Sequence, residues 1–158
     1  MRKEYISQMQ MDAYYKDIIR QMAVHNYKPD IVVGLLRGGA DMAVKFSHYY
    51  DIPCEVFKWQ LRDGNNDSHQ DDVDQLTSFF LENKNKEILI VDDIFDTGMS
   101  LRAIDKIVAS IPMTGLVSYA VCIENIDEDD PHIDFSARQI SRTDEDQWFV
   151  FPCEEWWY

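Results

Sequence analysis

A short apolar strand that ends in carboxylates is the feature of this sequence that most constrains its fold. Four apolar residues at positions 88–91 are followed by Asp92 and Asp93, and two apolar residues later by Asp96. A Thr-Gly-Met-Ser turn at residues 97–100 then leads into a segment with helical apolar spacing. Strand, acids, turn and helix in this order are typical of the carboxyl edge of a parallel sheet, where α/β proteins bind ligands.

The rest of the chain alternates between helical and strand patterns. Apolar spacings of three and four predict helices over about residues 5–25, 40–50, 71–82 and 99–111. Short apolar runs predict strands at 31–36, 53–60, 88–92 and 116–122, with shorter ones at 133–136 and 148–151. The length and this alternation predict a single α/β domain over residues 1–158, with a mainly parallel central sheet flanked by helices.

Composition narrows the classes of partner. The formal net charge is −14 and no basic stripe is present, which disfavours nucleic acid as a partner. We expect no membrane partner, because no apolar run approaches the ~18 residues of a membrane span. Cys54, Cys122 and Cys153 match neither a disulfide framework nor a zinc spacing, so reduced thiols are expected. With no apolar signal region at the N-terminus, these features predict a cytoplasmic protein.

The turn after the acids indicates a phosphate ligand, because the N–H groups at a helix start bind anions. Carboxylates beside a phosphate would repel it unless sugar hydroxyls or a cation lay between them. A phosphorylated sugar that carries a magnesium ion satisfies both groups. A second turn, Arg37-Gly38-Gly39, follows the strand at 31–36 and is expected at the same edge of the sheet.

Three segments resemble the type I phosphoribosyltransferases. Residues 91–100, Val-Asp-Asp-Ile-Phe-Asp-Thr-Gly-Met-Ser, resemble the phosphoribosyl-pyrophosphate signature of that family. The Arg-Gly-Gly turn resembles its pyrophosphate loop. Residues 147–154, Gln-Trp-Phe-Val-Phe-Pro-Cys-Glu, resemble the segment that closes the base pocket in the xanthine-guanine and hypoxanthine-guanine enzymes. The resemblance implies the type I fold, with a flexible lid loop at about 60–70 and a small C-terminal hood at about 123–158.

The resemblance also implies an activity. It is that of a pentosyltransferase, which moves a phosphoribosyl group from 5-phosphoribosyl 1-pyrophosphate to a nucleobase, here a purine. The products would be pyrophosphate and a nucleoside 5-monophosphate, as in purine salvage. Mg²⁺ is the implied cofactor, and the relatives are usually homodimers or homotetramers.

By the same resemblance, two loops would bind the donor. Asp92 and Asp93 would meet the ribose hydroxyls directly or through magnesium. The Arg-Gly-Gly loop would bind pyrophosphate after a Leu36–Arg37 peptide bond that is often cis in the family, and residues 97–100 would wrap the 5-phosphate. The residues expected to bind the donor are Arg37, Gly38, Gly39, Asp92, Asp93, Thr97, Gly98, Met99 and Ser100.

The acceptor side is less defined by sequence. Asp96 would accept a proton from the base, or else would only cap the helix that follows. Trp148 would stack on the base, or else belong to the core. The lysine that reads a 6-oxopurine in the family is missing, since Cys122 aligns at its position, and Arg138 is the nearest substitute. Another purine, a pyrimidine or a modified base is therefore an alternative acceptor. The apolar end, Trp156-Trp157-Tyr158, is expected on the pocket rim or a partner subunit.

Two other interpretations fit parts of this pattern. A non-catalytic regulator that binds phosphoribosyl pyrophosphate or a nucleotide would share the donor-binding residues, and it is the alternative to the enzyme. Asp96-Thr97-Gly98 also matches the core of the aspartic-protease motif, but that motif needs Ser or Thr next, and Met99 stands there at the start of a helix.

Overall fold

The computed structural model describes residues 1–59 and 67–157. Its elements in chain order are β1 (Arg2–Tyr5), α1 (Gln8–Val24), β2 (Ile31–Leu36), α2 (Ala40–Tyr50), β3 (Cys54–Lys58), α3 (Asp67–Glu82), β4 (Ile88–Phe95), α4 (Met99–Ala109), β5 (Val117–Asn125), β6 (Phe135–Ile140) and β7 (Gln147–Val150). The expected lid loop at about 60–70 lies mostly outside the described residues.

Five parallel strands form the central sheet, in the order β3-β2-β4-β5-β6. The strand order reverses between β2 and β4, because the chain goes outward from β2 to β3 and then returns to β4. Loops at the carboxyl ends of two such strands diverge and leave a crevice between them. The α/β fold with a mainly parallel sheet is therefore confirmed, and its crevice lies between the two loops singled out in the sequence.

Both faces of the sheet are covered by helices. Val32, Leu89 and Val91 pack on one face with side chains of α1 and α2 such as Met22 and Phe46. On the other face the alternate strand residues pack against α3 and α4, in a cluster that includes Val33, Ile88, Ile90, Leu76, Phe80 and Ile104. Burial on both faces explains why β2 and the first four residues of β4 are continuous apolar runs.

A second, two-stranded sheet forms the hood. β1 pairs in parallel with β7, with Arg2 opposite Gln147. The predicted helix over residues 5–25 therefore begins later, at Gln8, where Ser7 accepts a hydrogen bond from the Gln10 N–H and donates its own N–H to the Gln10 side chain. β1 has only four residues, and its partner strand lies at the other end of the chain. The sequence near β1 therefore has no local pattern that predicts a strand.

Other boundaries also differ from the sequence prediction. β4 continues through the acids to Phe95, and β5 continues to Asn125. α3 begins at Asp67 rather than 71, and the strand predicted at 133–136 is β6 at Phe135–Ile140. The longer β4 and β5 pair along their ends, which extends the sheet beyond the acids. Among the helices of the described residues, none is long and apolar enough to cross a membrane.

Candidate active site

A cavity of about 490 Å³ lies at the carboxyl ends of β2 and β4 and beneath β7. Its walls come from the β2 turn, the end of β4, strand β7 and the turn that follows β7. The lining residues are Leu36, Arg37, Gly38, Asp92, Asp93, Ile94, Asp96, Trp148, Phe149, Val150, Phe151, Cys153, Glu154, Glu155 and Trp157. Arg37 is the only basic residue among them. The crevice expected from the strand order is thus an acidic pocket with an aromatic wall.

The Arg-Gly-Gly turn is packed against the end of β4. The Leu36–Arg37 peptide bond is cis, as the resemblance implied. A Cβ added to Gly38 would overlap the carboxylate of Asp93. One added to Gly39 would overlap the carbonyl oxygen of Val91 and lie 2.8 Å from the Leu35 nitrogen. Both positions therefore need glycine for close approach, Gly38 to the acid and Gly39 to the backbone of the sheet.

Asp92 and Asp93 form a pair of partly buried carboxylates at the cavity wall. The Asp93 N–H donates to Oδ1 of Asp92 at 2.9 Å. Burial, together with the charge of Asp93, raises the pKa of Asp92 well above its usual value. Burial also raises the pKa of Asp93, and the negative charge of the nearby Glu154 raises it further. Among the described residues, neither acid has a salt bridge to a basic side chain.

The turn after β4 presents the start of α4. Gly98 precedes the helix with φ of 76°, a left-handed conformation that favours glycine, and no side chain caps the helix there. The Met99 N–H makes only a long contact of 3.4 Å with the Thr97 hydroxyl. Trp59, at the end of β3, donates from its indole nitrogen to the Ser100 carbonyl at 2.9 Å. Residues 97–100 lie beside the cavity and are not among its lining residues.

Asp96 does line the cavity, and it is held by an arginine that sequence reasoning missed. Arg142, in the segment between β6 and β7, donates from Nε to Oδ1 of Asp96 at 2.7 Å and from Nη2 to Oδ2 at 2.9 Å. Buried Asn125 donates to the Asp96 carbonyl at 2.9 Å. Because the carboxylate binds Arg142 and α4 has no side-chain cap, the cap interpretation of Asp96 was wrong.

Aromatic side chains form the wall opposite the acids. The side chains of Phe149 and Phe151 are buried and belong to the core, whereas Trp148 is 50% exposed and lines the cavity. Trp148 is therefore not a core tryptophan, and its ring is open to a ligand. Trp157 also lines the cavity and is 64% exposed, so this residue of the apolar end lies at the pocket rim, while Tyr158 lies outside the described residues.

The two residues considered for the missing lysine lie elsewhere. Cys122 is fully buried in the core on the α1 side of the sheet and does not line the cavity. Arg138 does not line the cavity either, because its guanidinium is paired with Glu4 at 2.5 Å and with Glu145 at 3.5 Å. The suggestion that Arg138 substitutes for the lysine was therefore wrong in this structure.

Comparison with known proteins agrees with the fold. The sequence profile of the phosphoribosyl transferase domain matches residues 3–155. The chain belongs to this family. The phosphoribosyltransferase expected from the sequence is thereby confirmed at the level of the family, with the type I fold. A search of curated protein sequences found no significant match.

Solved structures of the same fold include purine enzymes. A purine phosphoribosyltransferase from Pyrococcus horikoshii has a TM-score of 0.72 at 24% identity, covering 98% of this chain and 95% of that one. The xanthine-guanine-hypoxanthine phosphoribosyltransferase of Helicobacter pylori has a TM-score of 0.70 at 16% identity, with coverages of 98% and 95%. A hypothetical protein from Neisseria gonorrhoeae with bound ppGpp has a TM-score of 0.72 at 17% identity, with coverages of 96% and 89%.

Sequence reasoning missed the residues that reach the site from a distance. Arg142 stands in an acidic, irregular stretch, and nothing in its spacing relates it to an acid 46 positions earlier. Asn125 ends a strand, and only the sheet places it beside Asp96. Glu154 was quoted within the tail motif, but its closeness to Asp93 depends on how the turn after β7 folds over the sheet.

Proposed function

We propose that this phosphoribosyltransferase catalyses magnesium-dependent transfer of a phosphoribosyl group from 5-phosphoribosyl 1-pyrophosphate to a purine base. The observation that carries this proposal is that one cavity contains Arg37, the paired acids Asp92 and Asp93, and the exposed ring of Trp148. A donor with an anionic leaving group, a sugar with hydroxyls and a flat acceptor would each meet a matching surface.

The donor half follows from the two loops. The Arg37 side chain and the amides of Gly38 and Gly39 would bind pyrophosphate. Asp92 and Asp93 would accept hydrogen bonds from the ribose hydroxyls and stabilise the positive charge that develops on the sugar. Residues 97–100, where no side chain caps the start of α4, would bind the 5-phosphate.

The residues present suit a magnesium ion that is shared with substrate. No cluster of three or more metal-binding side chains occurs among residues 1–59 and 67–157. Magnesium is commonly bound by one or two carboxylates plus substrate phosphates. Asp92 and Asp93, which have no salt bridge to a basic side chain among the described residues, would provide those carboxylates. When bound, the ion would neutralise charge on the pyrophosphate leaving group.

In the reaction, the bond from C1 of the ribose to the pyrophosphate oxygen breaks and a bond from C1 to a ring nitrogen of the base forms. The proton on that nitrogen passes to the carboxylate of Asp96, and the electrons of the broken bond leave with pyrophosphate. General-base assistance of this kind contributes roughly two to four orders of magnitude in rate. Trp148 would stack on the base; the purine class rests on the names of the Pyrococcus and Helicobacter proteins above.

Pyrophosphate release with a panel of purine and pyrimidine bases tests the proposal. Turnover with a purine is expected, and Asp96→Asn should lower kcat while leaving donor affinity nearly unchanged. Tight donor binding without turnover on any base would instead favour the non-catalytic regulator. A loss of donor affinity in Asp96→Asn would make Asp96 a donor ligand. The cytoplasmic location and the homodimer or homotetramer stay predictions from sequence.

A further inference from the structure

Arg142 joins the acceptor wall to the end of β4. Nε and Nη2 of its guanidinium donate to the two carboxylate oxygens of Asp96. The third nitrogen, Nη1, donates to the Gln147 carbonyl at 2.6 Å. The guanidinium carbon lies 5.4 Å from the ring centre of Phe149. All three nitrogens of this planar group are therefore engaged, in a geometry that lysine cannot reproduce.

The backbone around Arg142 is tied to the same place. The Arg142 N–H donates to Oδ1 of Asn125 at 3.3 Å, while Nδ2 of Asn125 donates to the Asp96 carbonyl at 2.9 Å. Asn125 is buried, with 4% of its surface exposed. Side chain and main chain of Arg142 thus both connect to Asp96, one directly and the other through a single buried amide.

What this network connects is the acceptor half of the site. Asp96 lines the cavity from the β4 side, and Trp148, which directly follows Gln147, lines it from the β7 side. Arg142 is not among the lining residues and is only 25% exposed, so it is placed to act on the base through these neighbours. One guanidinium thus connects Asp96 to the residue that precedes Trp148.

We propose that Arg142 is the positioning residue of the acceptor site: it orients the Asp96 carboxylate toward the ring nitrogen and sets the distance between Asp96 and Trp148. This proposal rests on the proposed function for the identity of the acceptor. A displacement of about 1 Å at a reacting group can cost on the order of 100-fold in rate. Loss of this clamp, the contacts of Arg142 with Asp96 and the Gln147 carbonyl, should therefore slow turnover of the base and leave the affinity for the donor unchanged.

The chain offers a matched control in Arg138. Its guanidinium carbon also lies over the Phe149 ring, at 5.0 Å, and it is paired with Glu4 and Glu145. Arg138 and Arg142 are similarly exposed, at 27% and 25% of the side chain. Only Arg142 contacts Asp96, so equivalent substitutions at the two positions separate the clamp from a general contribution to the hood.

The experiment compares the full-length variants Arg142→Gln, Arg142→Lys and Arg138→Gln with the wild type. It measures kcat and KM for the base, and by calorimetry the affinity for 5-phosphoribosyl 1-pyrophosphate and for purine nucleoside 5-monophosphates. Arg142→Gln should lower kcat/KM for the base roughly 10- to 100-fold and change donor affinity less than about twofold. Arg142→Lys should recover part of the loss, and Arg138→Gln should stay near the wild type.

A double variant separates positioning from structural support. If Arg142 acts through Asp96, adding Arg142→Gln to Asp96→Asn should lower kcat little further. Equal losses in Arg142→Gln and Arg138→Gln, or full additivity with Asp96→Asn, would overturn the proposal. If the wild type turns over no base, the proposed function fails. The positioning role of Arg142 is then tested by the affinity for purine nucleoside 5-monophosphates. Weaker binding in Arg142→Gln but not in Arg138→Gln would support that role, and equal affinities in the two variants would overturn it.

Discussion

Asp93→Asn should stabilise the ligand-free protein while destroying its function. Burial and the nearby Glu154 raise the pKa of Asp93 from 3.8 to about 6 in the folded protein. Each unit corresponds to 1.36 kcal/mol, so the charged side chain opposes folding by about 2–3 kcal/mol at neutral pH. Asparagine has nearly the same shape and no charge. In a chain of this length, the change should raise Tm by roughly 5–10 °C.

The stabilisation expected for Asp93→Asn should depend on pH. Between pH 4 and 6 the folded wild type holds a proton on Asp93 that the unfolded chain has released. The contribution of Asp93 to the free energy of unfolding of the wild type therefore falls as pH rises through that window. Well below pH 3.8 the carboxyl is protonated in both states, and the difference in free energy of unfolding between variant and wild type should vanish. Above pH 6 it should be fully developed.

Thermal and urea unfolding in EDTA, at intervals from pH 4 to 7.5, measure the difference. Asp12→Asn is the matched control, because the side chain of Asp12 is exposed and accepts a hydrogen bond from Lys45 at 2.8 Å, which lowers the pKa of Asp12. That variant should gain no stability at any pH. The reasoning would be refuted if Asp93→Asn were no more stable than the wild type at pH 7.5. It would also be refuted if the variant were stabilised as much at pH 4 as at pH 7.5.

Three further outcomes are expected. Gly39→Ala should lower the free energy of unfolding by about 1–3 kcal/mol in urea titrations, because its Cβ meets the backbone of the sheet. Trp148→Ala should leave Tm almost unchanged, since the ring is 50% exposed, but raise KM for the base roughly 5- to 100-fold through lost stacking; an unchanged KM would remove Trp148 from the acceptor site. Chelation of magnesium should abolish pyrophosphate release, and added Mg²⁺ should restore it; activity that persists in EDTA would contradict the proposed role of the ion.

The arrangement of the Arg-Gly-Gly turn and the end of β4 was predictable because its signals are local. Residues 88–100 contain strand, acids, turn and helix start within one continuous segment, and each part restricts the next. The Arg-Gly-Gly turn follows its strand directly, and the rule for parallel sheets places both turns at one edge. The structure agrees, with Gly38 against Asp93 and Gly98 in the left-handed region.

The part of the cavity around Asp96 and Trp148 was less predictable, because its residues meet only after folding. Cys122 lies at the position aligned with the lysine, but the alternation of β5 turns its side chain into the core. Arg138 and Arg142 are four residues apart and chemically identical, yet only one contacts Asp96. A sequence does not state which carboxylate an arginine will find, since the choice depends on which strands become neighbours.

The sequence by itself determined the parallel sheet and the edge at which its two turns meet, and it predicted the residues that would hold a phosphorylated sugar. Those features depend on apolar periodicity, adjacent acids and glycine turns, all of which act over a few residues. Tertiary structure alone decided that β1 joins β7, that Trp148 faces the cavity, and that Arg142 holds Asp96. These contacts join segments that are far apart in the chain, and they form only when burial of both faces of the sheet brings those segments together.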